Sequence, residues 1–149
     1  LDLVPLLREV HAAYRELYPD HAVKLEIEAA RAEINGVPEL IIQALDKLMD
    51  NAASFGEPGS PINLVLTSKQ SGWELAVSNE GPTLTPAIAQ SMFDPMVSQR
   101  DSGGEDVHLG LGLHVVRLIC EYHRGRVEAS NNASPDGVTL RMWFPSARN

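Results

Sequence analysis

"QALDKLMDNAASF", residues 43 to 55, completes a run in which Ile41, Ile42, Leu45, Leu48, Met49 and Ala52 recur at helical spacing and build a broad apolar face. The helix this predicts runs from about Val37 to Phe55, and "GEPGSP" ends it. Along one edge of the face stand Lys47, Asn51, Ser54 and Phe55, at i, i+4, i+7 and i+8, so they share one side of the helix. A polar edge beside a buried face can look into a pocket. The Asn51 carbonyl oxygen is a hard donor of the kind Mg²⁺ takes alongside waters and phosphate oxygens. Lys47, one turn away, can meet a phosphate as a point charge. Asn51 and Lys47 can equally be solvated residues of a surface helix. Asp46 and Asp50 lie about 100° round from their neighbours on that edge and read as solvated.

The elements on either side set the fold class. Residues 3 to 17 place Leu3, Leu6, Leu7, Val10, Ala13, Tyr14 and Leu17 at helical spacing, until Pro19-Asp20 stops them. "AVKLEIE", residues 22 to 28, alternates apolar and charged as a strand does. Ile62 to Thr67 and Trp73 to Ser78 flank "SKQSG" and predict an antiparallel hairpin. Thr85 can cap a short helix whose first residue is Pro86. Residues 95 to 109 carry Pro, Ser, Gly and charge without periodicity and read as a mobile loop. "VHLGLGLHVVRLICEYH", residues 107 to 123, reads as a helix with two glycines at its start and Leu113, Val116 and Cys120 on one side. His123 reads as a cation at its C-terminal end. Arg126 to Ser130 and Val138 to Phe144 form a closing strand pair around "NNASPDG". The order predicts an α+β fold: a two-layer α/β sandwich with a mixed, mostly antiparallel sheet and helices on one face, residues 1–149 forming a single domain.

Composition narrows the functional classes. A chain of 149 residues can bury a core without disulfides or metal staples. No apolar stretch approaches the roughly 20 residues of a membrane span, so the chain does not cross a bilayer by itself. The net charge of −8 repels a nucleic-acid backbone. An anionic ligand then needs local cations or oriented backbone N–H groups. Cys120 is the single cysteine, best read as a small buried hydrophobe, which fits a reducing, cytoplasmic setting. Residue 1 is Leu rather than Met, which suggests a piece of a longer chain.

Two more clusters carry chemistry. Gly110 and Gly112 precede a helix, whose unpaired N–H groups and partial positive charge suit a phosphate that glycine allows to approach closely. Tight turns and helix packing use glycine as well, so this pattern does not decide alone. In "VSNEGPTLTP", residues 77 to 86, Asn79 closes a strand where a ligand-reading side chain can stand, before Gly81 and Pro82 turn the chain. Turn formation by itself explains the same residues.

In this order and at these separations the clusters resemble the ATP-binding catalytic domain of bacterial two-component sensor histidine kinases, in the superfamily that also holds gyrase, Hsp90 and MutL. The N box corresponds to "QALDKLMDNAASF", the G1 box to "SNEGPTL", the F box to "MFDP" and the G2 box to "HLGLGLHVV"; "DGVTLRMWFP" matches the final glycine-and-strand element. The resemblance covers nearly the whole chain and implies a Bergerat-type fold with Mg-ATP held between the N-box helix and a flexible lid. It implies Asn51 as the magnesium ligand, with Ser54 and Phe55 beside it. Asn79, Gly81, Leu84, Phe93 and Thr139 are further implied ATP contacts, as are the G2-box residues His108, Leu109, Gly110, Leu111, Gly112 and Leu113. Lys47 and Arg100 are the implied catalytic cations, Arg100 standing where many relatives carry a basic lid residue.

Several positions depart from the family pattern. Asn79 replaces the Asp, and Thr83 the second Gly, of D-x-G-x-G. An Asp only accepts from the adenine amino group, whereas an Asn amide also donates and can be flipped. Adenine is therefore expected to be told from guanine less sharply. Lys47 stands where ATPase relatives carry a catalytic Glu, and a lysine cannot be the carboxylate base that activates water, so steady hydrolysis is not expected. Ser54 stands where many kinases have a Lys, a charge Lys47 can supply from one turn earlier. The implied partners are ATP, a helical dimerisation domain bearing the phosphoacceptor histidine and, through it, a response regulator, with no nucleic acid and no membrane contact by this chain. His11 in "REVHAAYRE" lacks the phosphoacceptor motif and reads as a helix-surface histidine. A serine kinase of the anti-sigma-factor type and a docking module without turnover stay open as alternatives.

Overall fold

The computed structural model describes residues 1–95 and 112–147. Arg100, His108, Leu109, Gly110 and Leu111 lie outside them, as does most of the segment read as a mobile loop. The helices are α1 (Leu3–Leu17), α2 (Pro38–Phe55), α3 (Pro86–Ser91) and α4 (Leu113–Tyr122). The strands are β1 (Val23–Ile27), β2 (Ile62–Lys69), β3 (Gly72–Glu80), β4 (Arg126–Asn132) and β5 (Gly137–Pro145). They form one sheet in the order β1-β2-β3-β5-β4. β1 runs parallel to β2, and every other pairing is antiparallel. The mixed α+β architecture is the one the sequence predicts.

The β2–β3 hairpin is longer than its hydrophobic pattern suggests, because its turn is tighter. Gln70 and Ser71 take positive φ of 52° and 60°, as a two-residue primed turn requires, and Lys69 pairs directly with Gly72. β3 extends at its other end to Glu80, so Asn79 is held within the ladder between Ile62 and Val138. Strand alternation turns Ile62, Leu64 and Leu66 of β2 and Leu140, Met142 and Phe144 of β5 to one buried face. Leu3 and Leu7 of α1, Leu45 and Leu48 of α2 and Val116 of α4 complete the core with them. Cys120 is fully buried there, and burial pushes its thiol up to about 12.

Two contacts fix α2 beyond its apolar face. At its start Pro38 presets the backbone, but Val37 supplies no side-chain cap. Instead His123 accepts the Val37 N–H through Nε2 at 3.1 Å, while its Nδ1 meets the Ile119 carbonyl at 2.8 Å. An N–H only donates and a carbonyl only accepts, which assigns the proton to Nδ1. The reading of His123 as a helix-end cation is thereby corrected: the ring is buried and its Nε2 is occupied as an acceptor.

Along its length α2 is tied to α1 by two tyrosines. Tyr14 donates its hydroxyl to Asp46 Oδ1 at 2.7 Å, and Tyr18 donates to Asp50 Oδ1 at 2.5 Å. Asp46 and Asp50 are exposed, as expected, but also engaged: equal four-residue steps on facing segments bring both pairs together, which spacing within one helix does not reveal. Burial, then the hydrogen bond to a carboxylate, raises both phenols well above the ordinary tyrosine range. Tyr14→Phe is expected to cost about 1 kcal/mol, a fall of about 3 °C in Tm measured by circular dichroism.

Candidate functional site

The second half of α2 lies against both the start of α4, through Lys47 and Gly112, and the end of β3, through Phe55 and Gly81. Lys47 and Gly112 define the first wall. Gly112 is the N-cap of α4 with φ 86° and ψ −21°, a left-handed conformation that a Cβ disfavours. A Cβ built on it would stand 2.8 Å from Lys47 Cδ and 3.5 Å from Nζ. The lysine stem therefore lies against the glycine, and its ammonium sits near the helix start. No side chain caps that start. A cation and the positive end of a helix repel one another slightly, and an anion between them satisfies both.

Asn51 lies one turn further along α2. Its Nδ2 is buried and has no hydrogen-bond partner among the described residues. An unsatisfied buried donor costs about 1–3 kcal/mol, so the Asn51 amide calls for an acceptor from outside the described residues. Ser54 is exposed in the last turn of α2, and Phe55 is half-buried beside it. Among the described residues no group of three His, Cys, Asp or Glu side chains is placed to hold a metal. A Mg²⁺ ion here would take one protein oxygen, from Asn51, and the rest from phosphate and water, the habit of that ion in nucleotide sites.

The second wall is the end of β3. Gly81 has φ 149°, and a Cβ on it would approach the Phe55 carbonyl oxygen to 2.8 Å, so α2 and the chain after β3 touch through glycine. The Glu80 carbonyl accepts from the Glu57 N–H at 2.8 Å and from Asn79 Nδ2 at 3.3 Å. Asn79 is buried, its Cβ close to Gly56 at the end of α2. The sequence leaves the Asn79 amide free to flip, but a carbonyl neighbour takes only the NH₂ end. Oδ1 is thereby the end of the amide that this carbonyl does not engage.

Other expected site residues fall elsewhere. The side chains of Leu113 and Phe93 are in the core, so only their backbones can face a ligand. His114 meets the Phe93 carbonyl at 3.3 Å, and Arg117 pairs with Asp94 at 2.9 Å, which fastens the "MFDP" segment to α4. Thr139 is a correction: it pairs across the ladder with Ser78 and Ser130, one residue out of phase with Asn79, and so points from the opposite sheet face, donating to Asn132 Oδ1 at 2.8 Å. Leu84 is half-exposed, and its peptide is held by Asn131, a residue that spacing marks only as a turn former.

The profile described as "Histidine kinase-, DNA gyrase B-, and HSP90-like ATPase" matches residues 36–148. The chain belongs to that family. Among curated relatives it is 30% identical over 110 residues to the heme sensor protein HssS of Staphylococcus haemolyticus, covering 74% of this chain and 23% of that protein. To a bacteriophytochrome of Pseudomonas aeruginosa it is 29% identical, covering 97% of this chain and 20% of the relative. The chain thus spans between a fifth and a quarter of the length of these two relatives. In fold it is similar to the catalytic domain of the histidine kinase ThkA, with a TM-score of 0.83 at 21% identity and coverage of 100% of this chain and 97% of that one. In this chain the αL Gly112 and the Lys47 stem packed against it form one corner between α2 and α4. Gly112→Ala is expected to weaken ATP binding more than tenfold while lowering the Tm of the ligand-free chain by only a few degrees, as thermal melts with and without ATP will measure.

Proposed function

We propose that this chain binds Mg-ATP and presents its γ-phosphate to a histidine on a separate helical dimerisation domain, from which the phosphoryl group passes to a response regulator. The observation that carries this reading is the corner where Lys47, the uncapped start of α4 and the unpartnered Asn51 amide converge. A triphosphate fits there by charge, and Asn79 Oδ1 at the other wall can accept from the adenine amino group. In this account Asn51 holds Mg²⁺, which supplies charge neutralisation across the phosphate oxygens. Lys47 meets the phosphates, and Arg100, His108, Leu109, Gly110 and Leu111 add further contacts on the strength of their place in the sequence alone. The acceptor imidazole nitrogen attacks the γ-phosphorus, the bond to the ADP oxygen breaks, and the imidazole proton leaves to solvent. Catalysis is then positioning and charge stabilisation, with no carboxylate at position 47 to activate water.

No described helix is long and apolar enough to cross a membrane. We assign the module to the cytoplasmic side, where ATP is available.

Three measurements test the reading. Lys47→Ala is expected to weaken a non-hydrolysable ATP analogue about tenfold or more and AMP less than twofold, by isothermal titration; equal losses contradict the assignment of Lys47 to the phosphates. GTP is expected to compete at least about tenfold more weakly than ATP, with Asn79→Asp keeping that preference, because both side chains then offer adenine an acceptor. Incubated with γ-labelled ATP and a histidine-bearing dimerisation domain, the chain is expected to yield an acid-labile phosphoryl group on that domain. An acid-stable product would assign a hydroxyl acceptor instead.

A further inference from the structure

The stretch from Gly81 to Thr85 leaves β3 beside Asn79 and leads into α3, so it forms the rim of the proposed site at its Asn79 end. Its Gly81 N–H donates to the Asp136 carbonyl at 2.9 Å, and among the described residues one side chain from elsewhere also holds it. Asn131, near the end of the edge strand β4, accepts the Leu84 N–H through Oδ1 at 2.7 Å and donates through Nδ2 to the Leu84 carbonyl at 2.9 Å. Both polar groups of one residue's backbone are thus satisfied by a single amide, as a neighbouring strand would satisfy them. Asn offers its donor and its acceptor on two separate atoms, as a peptide does, whereas an Asp would set an acceptor against the Leu84 carbonyl.

The register explains how Asn131 comes to be there. Asn79, Val138 and Asn131 are successive partners across β3, β5 and β4, so all three project from the same sheet face. The side chain beside Asn79 in this row is an apolar one, and the next is the amide that grips the rim. Asn131 is itself exposed and does not belong to the hydrophobic core. Directly after Leu84, Thr85 accepts the Ile88 N–H at 3.2 Å and starts α3. The clamp and the cap together set where the rim ends and α3 begins.

We infer that Asn131 is a positioning residue for nucleotide binding: it holds the Gly81–Thr85 rim in the conformation that receives the base, without touching the ligand. The inference rests on the Mg-ATP reading above and adds to it a residue that contacts only the backbone of the site. Its signature follows from its place. A rim at the Asn79 end affects AMP and a triphosphate alike, whereas Lys47 at the other end separates them.

Isothermal titration of the chain with AMP and with a non-hydrolysable ATP analogue tests it, together with amide exchange at Leu84 followed by NMR. Asn131→Ala is expected to weaken both nucleotides by a similar factor, about tenfold, and to speed Leu84 exchange in the free chain, with the Tm within about 2 °C of the parent. Asn131→Asp, which keeps the acceptor and loses the donor, is expected to weaken both as well. Asn132→Ala, next along the same strand, is expected to bind both within twofold. Asn131 variants that bind both nucleotides as the parent does overturn the inference, as does an equal loss in Asn132→Ala, which would mean a general loosening of β4. A parent chain that binds neither nucleotide overturns the Mg-ATP reading itself, and this inference with it.

Discussion

The packing of the Lys47 stem against Gly112, so close that a Cβ there would stand 2.8 Å from Cδ, is the constraint on which the proposed site depends. It needs a residue without a Cβ, held with φ 86° at the N-cap of α4, and it brings a cation to the end of a helix that is already partly positive. Neither feature favours the empty chain. Folding accepts both because α2 and α4 are packed together through Leu45, Leu48, Leu113 and Val116, each at most 1% exposed. Fully burying side chains of this size is worth about 1.5–3 kcal/mol apiece, more than a local clash of like charges at a half-exposed corner costs.

The remainder of the fold keeps α2 from shifting. His123 grips the Val37 N–H just before its start, Tyr14 and Tyr18 hold the aspartates that alternate with Lys47 and Asn51, and the Glu57–Glu80 bond ties the chain just beyond its C-terminal end to β3. A helix fixed at its start, middle and end can present an edge of polar groups to an opening while its other side stays in the core. Functional side chains on a rigid element hold their geometry better than side chains on loops. The rim from Gly81 to Thr85 has no such element of its own: the Gly81 N–H donates to the Asp136 carbonyl at 2.9 Å, and the Asn131 amide satisfies both backbone groups of Leu84.

Much of this was legible beforehand. The apolar face of α2 predicted its range to within a residue, and its polar edge singled out Lys47 and Asn51, because a 3.6-residue period is a direct consequence of burial. The strand order, and the engagement of Asp46, Asp50, His123 and Asn131, were not legible. Each of those contacts joins residues at least 32 positions apart, and local spacing carries no information about them. Thr139 shows the same limit in a strand: a shift of one residue in phase moves a side chain to the other face, and only the pairing register fixes the phase. The orientation of the Asn79 amide depends likewise on the Glu80 carbonyl, whose direction the residue types alone do not give.

The central claim is that the corner built from Lys47, Asn51 and the start of α4 is a triphosphate site that works with Mg²⁺. Isothermal titration of the chain with a non-hydrolysable ATP analogue, run with Mg²⁺ and again with a chelator, measures this most directly. Saturable one-to-one binding that weakens at least about tenfold when Mg²⁺ is withdrawn is the predicted result. Absence of binding under both conditions, or binding indifferent to the ion, would contradict it.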